Sequence, residues 1–468
     1  MPTGVPPEPT IWVDVEDFLS YFEFNPRPSG IQRVAFEIER ALIEAAGADR
    51  IRFVRRAPGR DELLQEVAWR DAESIFFSRP MPEEARPPGR PRDDERRMRV
   101  RRAIQRLPPE LREPLFRAGT LQSQVGYAVR DLVKALRPPA PRQIRAGREA
   151  IPEAGAGGFA SRVRPGDVLL SPGAPWSVAG FAELAAELKG RYGMRLALLV
   201  HDLAPLRRPE WFDPAAVTRF RNWLEATLPL CATVLAVSAH TAADLEAYAR
   251  ETGIALSSPV LPVPLGATFP AGEAAAAPGL PRPGRYVLFV STLEARKNHA
   301  LVVNVWRKLM DEVRQGRRDA GSVPELVFAG RVGAMVADLV QQLDNMAYLR
   351  GRIRLIRDPT DAELLALYQG CLFTIFPSLF EGWGLPVTES LALGKPCLAS
   401  NATAIPEAGG ALSRYFDPEN VGSAHRAVSA LLDDPAAIAS WQDQVRREFQ
   451  PRPWSDTARA ILAGVAAP

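Results

Sequence analysis

Cysteine is scarce in this 468-residue chain: only Cys231, Cys371 and Cys397 occur, each in apolar surroundings. None stands at metal-ligand spacing, which argues against a disulfide framework or a thiolate metal centre and suits buried thiols in a reducing compartment. No apolar run approaches the ~18 residues needed to span a bilayer. The start, Met1 to Thr10, has neither a basic stretch nor an apolar core, so no signal peptide is expected. These absences point to a cytoplasmic protein. There is no short-period repeat either. What is present is ordinary for a folded chain: 46% apolar and 24% charged residues. The length implies two or three domains with a large core.

The net charge of +3 hides an asymmetry. Residues 86–148 hold 17 Arg and Lys against 6 Asp and Glu, so the rest of the chain is net negative. The same stretch has two aromatics, Phe116 and Tyr127, too few for the stacking platform of a nucleic-acid binder. Within it, Met98 to Leu107 places apolar residues at 100, 103, 104 and 107 among arginines, a basic amphipathic helix. Two uses are open for it: a solvated helical excursion, or docking on an anionic membrane surface.

Elsewhere short apolar runs alternate with helical or polar stretches. In the first half they fall at Ile11–Val15, Arg52–Val54, Ile75–Phe77, Val168–Leu170, Leu196–Val200 and Val234–Val237. In the second they fall at Tyr286–Val290, Leu326–Ala329, Ile353–Ile356, Leu372–Phe376 and Cys397–Ala399. Such alternation predicts parallel sheets covered by helices. The expected fold class is therefore α/β, with two Rossmann-like doubly wound domains facing a cleft. The first spans 1–270 with a basic helical insertion at about 80–150. An Ala/Pro/Gly-rich linker follows at 271–284, then a second domain at 285–450. Residues 451–468 form a final helix returning to the first domain.

In open parallel sheets ligands bind beyond the carboxyl ends of the strands. Five segments fall there: Ser29-Gly30-Ile31-Gln32-Arg33, His201-Asp202-Leu203, Ser291 to Asn298, Gly330 to Gly333, and Phe376 to Glu389. The last is the most informative. Glu381 and Glu389 lie eight residues apart, and Gly382-Trp-Gly384-Leu385-Pro between them forms a tight turn into a helix. The glycines allow close backbone approach, and the free N–H groups of a helix start suit an anion. Arg296-Lys297-Asn298 sets cations at another helix start, unfavourable to its dipole unless an anion binds.

Phe376–Ala399, with its E-x7-E pair, resembles the retaining GT-B glycosyltransferases grouped as family 4. Val200 to Leu203, Ser238 to Thr241, Val263 to Gly266, Thr292 to Asn298 and Ser400 to Glu407 match further segments of that family in order. The resemblance implies that Glu389 accepts hydrogen bonds from the ribose of a nucleotide sugar and that Glu381 faces the donor sugar. It implies that Gly382, Gly384 and Leu385 line the donor through backbone groups, and that Lys297 neutralises the diphosphate. His201 would touch the sugar near the reacting carbon, with Asp202 beside it, and Gly30 would let the first helix approach. There are two departures. Thr292 stands where relatives carry arginine, leaving Arg296 as the candidate substitute. Ser29-Gly30 replaces a glycine pair.

The implied activity is retaining transfer of a sugar from a nucleotide diphosphate donor, GDP-mannose first, to a glycan or lipid-linked acceptor in bacterial polysaccharide synthesis. No cofactor and no metal are expected. A rhamnosyl-, UDP- or dTDP-sugar transferase, a sugar-nucleotide epimerase or hydrolase, and a catalytically silent nucleotide-sugar-binding scaffold remain as alternatives.

Overall fold

The computed structural model describes residues 8–25, 27–57, 63–77, 158–267 and 279–466. The basic stretch 86–148 and most of the expected linker lie outside them.

Two sheets organise the described chain. The first has seven strands in the order β3-β2-β1-β4-β5-β6-β7. These are β1 (Ile11–Asp14), β2 (Ile51–Arg56), β3 (Leu64–Val67), β4 (Val168–Ser171), β5 (Arg195–Val200), β6 (Cys231–Ala236) and β7 (Leu261–Pro262). All pairings are parallel except β2 with β3. The second has six strands, all parallel, in the order β10-β9-β8-β11-β12-β13. These are β8 (Tyr286–Val290), β9 (Glu325–Ala329), β10 (Ile353–Ile356), β11 (Thr374–Phe376), β12 (Cys397–Ser400) and β13 (Arg414–Phe416). In each sheet the strand order switches sides between its first and fourth strands, which is where an open α/β sheet offers its ligand crevice.

Burial explains the strands. In β1, β4, β8 and β12 nearly every side chain is buried, as expected of strands covered on both faces. The Gly30–Ala46 helix buries Val34, Ile38, Ala41 and Leu42 at helical spacing. It packs along the Trp454–Ala466 helix, which also lies against the first sheet. There Thr457 Oγ1 donates to the Pro264 carbonyl at 2.9 Å and Arg195 donates to that of Val465 at 2.9 Å.

The structure corrects one strand. Ile75–Phe77 is the last turn of a helix, Trp69–Phe77. Three apolar residues fit either state, and here packing decides: Phe76 stacks on Phe36 with ring centroids 3.9 Å apart. A helix at Glu16–Phe24 and the short strands β3, β7 and β13 were not signalled by any apolar run.

Contacts join the two sheets' ends. Glu407 of the second half caps the first half's Ala239–Thr252 helix, accepting from Ala239 N at 2.8 Å and His240 N at 2.7 Å. Arg27 donates to the Pro359 carbonyl at 3.0 Å, and Arg33 pairs with Asp361. No helix among the described residues is long and apolar enough to cross a membrane.

Candidate functional site

The chain leaves β8 into a short 3-10 turn, Ala295–Lys297, and then reverses through Asn298 at φ 61°. Asparagine tolerates this left-handed conformation better than most residues. Here Asn298 Nδ2 donates to the carbonyls of Pro377 at 3.3 Å and Pro418 at 2.8 Å. The reversal lays Arg296 and Lys297 against the loop that leaves β11.

That loop carries Glu381, which is buried. Lys297 Nζ lies 2.5 Å from Oε1, Arg296 Nη1 lies 3.0 Å from Oε2, and Ser378 Oγ donates to Oε1 at 2.6 Å. Burial alone would raise the Glu381 pKa, but the two cations outweigh it and hold the carboxyl down at about 2. Burial also lowers the pKa of Lys297, with the neighbouring guanidinium acting in the same direction. Burial opposes the charge of Arg296 too, yet Glu381, Asp202 and Glu294 keep it firmly protonated. The Glu381 backbone is clamped by Thr403, whose Oγ1 accepts from the Glu381 amide at 2.9 Å and donates to its carbonyl at 3.0 Å. Thr403 holds φ 50° to do so, a conformation costing a β-branched residue about 1–3 kcal/mol.

The turn between the glutamates needs both its glycines. Gly384 sits at φ 118°, a backbone region that favours glycine. At Gly382 a Cβ would fall 1.7 Å from the His201 carbonyl oxygen, so the two halves touch backbone to backbone there. The Leu385–Ala392 helix then opens with proline in its first turn. Gly30 faces its start: a Cβ on Gly30 would meet Leu385 Cδ1 at 3.9 Å, an ordinary contact.

Glu389 lies one turn into that helix, half-buried. Tyr368, fully buried, donates its hydroxyl to Glu389 Oε2 at 3.0 Å. Burial raises the Glu389 pKa, while Arg33 and the Tyr368 hydrogen bond pull it down. Arg33 comes from the opposite half, in the first turn of the Gly30–Ala46 helix.

His201 follows β5 and is buried; burial lowers its pKa. Its Nε2–H donates to the Pro172 carbonyl at 2.8 Å. Asp202 Oδ1 accepts from Ala204 N at 3.0 Å. A pocket of about 350 Å³ opens beside them, lined from both halves by His201, Asp202, Glu294 and Arg296 among others. Lys297 and Glu389 are not part of its wall.

The structure therefore joins Arg296, Lys297 and Glu381 in one ion cluster and seats Gly382 on His201. It sets Gly30 against Leu385, and it holds Glu389 apart, with Tyr368 and Arg33. Sequence reasoning missed Tyr368, Ser378, Thr403, Arg33 and Glu407 as members. Ser378, Thr403 and Glu407 stood inside matched segments without an assigned task. Arg33 stood in the strand-end segment Ser29 to Arg33, also without an assigned task. Among the described residues, no three of His, Cys, Asp and Glu gather as metal ligands would.

Residues 272–448 match the family model described as glycosyl transferases group 1. Over 183 residues the chain is 27% identical to the serotype-specific mannosyltransferase WbdA of Escherichia coli, covering 39% of this chain and 22% of that one. Over 160 residues it is 31% identical to the O-antigen chain mannosyltransferase B of Escherichia coli, covering 34% of this chain and 38% of that one. The chain thus spans well under half the length of these relatives. Among solved structures, Anabaena Alr3699/HepE in complex with UDP and glucose aligns with a TM-score of 0.54 at 14% identity, over 98% of this chain and 100% of that one. At that identity the likeness shows the fold: two Rossmann-like domains in the GT-B arrangement.

Proposed function

We propose that this chain is a retaining, metal-independent glycosyltransferase that moves mannose from GDP-mannose to a glycan or lipid-linked acceptor in bacterial polysaccharide synthesis. The observation that carries the reading is the buried cluster of Arg296, Lys297 and Glu381, set beside Gly382 and His201 where the halves touch. Arg296 and Lys297, held by Glu381 and Glu294, stand beside the start of a helix, Leu385–Ala392, whose free amides add positive potential. That arrangement suits a diphosphate leaving group, whose developing charge is what such a site must stabilise. The preference for mannose rests on the names of the matching Escherichia coli proteins.

In this reading the diphosphate takes Lys297 and Arg296 in part away from Glu381, and Glu389 accepts from the ribose diol. The bond from the sugar's anomeric carbon to the phosphate oxygen breaks, and the bond to the acceptor oxygen forms on the same face. The acceptor's proton passes to a phosphate oxygen. No side chain acts as nucleophile. Binding to the anionic inner face of the membrane through residues 86–148 belongs to the same proposal.

Nucleotide release from a panel of GDP-, UDP- and dTDP-sugars, with and without EDTA, tests this. GDP-mannose should be turned over best and EDTA should not slow it. Glu389→Ala should weaken donor use by roughly 10- to 150-fold, the worth of a charge-assisted hydrogen bond. Silence toward every donor would remove the reading.

A further inference from the structure

Glu39 stands four residues after Ala35 and three before Leu42, on the buried face of the Gly30–Ala46 helix. Helical spacing asks for an apolar side chain there, and the chain has a fully buried carboxyl instead. Neither of its oxygens has a hydrogen-bond partner among the described residues. The charged groups that act on it are two further buried carboxyls, Asp17 and Asp14. Asp14 ends β1, and Asp17 lies in the first turn of the Glu16–Phe24 helix. Three elements thus bring three acids to one buried place, at the crevice end of the first sheet.

Little there offsets their charge. Asp14 Oδ1 accepts from Glu16 N at 3.0 Å, and Arg56 is the cation that acts on Asp14. That guanidinium also donates to the Ala179 carbonyl at 2.5 Å. Glu16 adds a negative charge, itself held by Arg55 at 3.4 Å and by Arg56 N at 3.0 Å. On the helix of Glu39, Arg33 pairs with Asp361 and Arg40 with Glu37. The Trp454–Ala466 helix packed along it brings only Asp456 and Arg459, paired with each other. The Trp69–Phe77 helix, stacked on Phe36, brings Arg70, Asp71 and Glu73, with Arg70 3.9 Å from Asp71. Burial raises all three acids of the cluster, Asp17 to about 6, Asp14 to about 7 and Glu39 well above the ordinary carboxyl range. Their protons belong to the cluster rather than to one member. Ionising the set gathers like charges out of water, and drawing the three elements apart relieves it.

Asp17 also holds the turn that follows β4. It accepts from Ala174 N at 2.6 Å, and a Cβ on Gly173 would fall 2.3 Å from its Oδ2. The same turn presents the Pro172 carbonyl to His201 Nε2 at 2.8 Å. One carboxylate therefore fixes the backbone to which the His201 ring is tethered. We propose that Asp17 is a positioning residue for His201, acting through the turn at 172–174. A proton held with Glu39 and Asp14 keeps this strut in place, and rising pH loosens it. The role of His201 rests on the transfer reading above; the strut itself rests on the buried contacts.

The test uses the full-length protein, first without donor. Amide exchange of peptides across 172–177 is corrected for the intrinsic rate at each pH. Protection should be about tenfold lower at pH 8 than at pH 6, the worth of one hydrogen bond. Peptides from the second sheet should keep theirs, which separates local loosening from global unfolding. Glu39→Gln, which cannot ionise, should abolish the difference. Nucleotide release from GDP-mannose then gives kcat. Asp17→Ala should lower kcat by about ten- to hundredfold, as a misplaced group does, and leave the donor's KM within about twofold. Asp17→Asn keeps an acceptor for Ala174 N and should restore most of that loss. Glu39→Gln should flatten the alkaline fall in kcat. Equal protection at the two pH values in the wild type, an undiminished difference in Glu39→Gln, or an Asp17→Asn no better than Asp17→Ala would each overturn the proposal. If no donor is turned over, the transfer reading fails and the exchange result alone decides the strut.

Discussion

Lys297 has two duties in the proposed mechanism, and they can be separated. Its ammonium lies 2.5 Å from Glu381, a carboxylate that Arg296 and Ser378 also hold. Lys297→Met strands part of a buried negative charge. Removing one partner of a buried pair costs about 3–5 kcal/mol, and because Arg296 stays, the loss should fall near ~3 kcal/mol. Adding Glu381→Gln removes the stranded charge, so the double variant should regain most of that stability. It should not regain turnover: losing one preorganised charge at a leaving group costs about 10²–10³ in rate. Urea unfolding reads the first quantity and initial rates of nucleotide release from GDP-mannose read the second. A double variant as unstable as Lys297→Met would refute the pairing argument. A double variant with full turnover would show that Lys297 serves the fold alone. The same carboxyl supplies a pH signature. Its folded pKa is depressed to about 2 from an ordinary 4.5, so its contribution is complete above about pH 4.5 and is lost as the pH falls toward 2. Glu381→Gln should flatten that acid limb.

Glu39 is fully buried, and neither of its carboxylate oxygens has a hydrogen-bond partner among the described residues. Burial first, then Asp17 and Asp14, push its pKa well up, and burial raises Asp14 itself to about 7 and Asp17 to about 6. A raised carboxyl binds its proton more tightly when folded, so stability falls as the pH climbs between the unfolded and folded pKa values. Glu39→Met should therefore raise the thermal midpoint more at pH 8 than at pH 5; equal shifts at the two pH values would contradict this. Gly382→Ala would drive a methyl into the His201 carbonyl. It should cost about 1–3 kcal/mol of stability and slow turnover, since the halves must separate to admit it; calorimetry and kcat check both, and an unaffected midpoint would count against the close contact. Glu407→Ala removes the cross-half cap of the Ala239–Thr252 helix and should lower stability by about 0.5–2 kcal/mol in urea unfolding. No shift in that midpoint would deny the cap its role.

Much of the sheet architecture was legible because parallel strands buried on both faces read as plain apolar runs, as Leu196–Val200 and Tyr286–Val290 do. What escaped lay at edges. Leu64 to Val67 pairs antiparallel at the margin of the first sheet and alternates with polar residues, and Arg414 to Phe416 is three residues long. Ile75–Phe77 misled because so short a run carries no period. At the site, the sequence order exposed residues that sit in loops after strands, among them Arg296, Lys297, Glu381 and His201. It hid those that act from helices remote in the chain. Tyr368 reaches Glu389 from 21 residues away and Arg33 faces it from the other half. Neither relation has a spacing that could be recognised along a single strand of text. Nor could charge counting foresee that Glu381 would bind both cations, because they meet only where the loops leaving β8 and β11 lie side by side.

The cap that Glu407 provides has a consequence for recombination. A helix in one half depends on a carboxylate in the other, so the halves of this chain are not interchangeable modules joined only by a linker. A hybrid carrying the first half of this chain and the second half of a relative would keep a fully capped Ala239–Thr252 helix only if the donor of the second half brought an acidic side chain to the place of Glu407. Crossovers placed in the linker should thus succeed or fail according to a residue more than a hundred positions downstream of the joint.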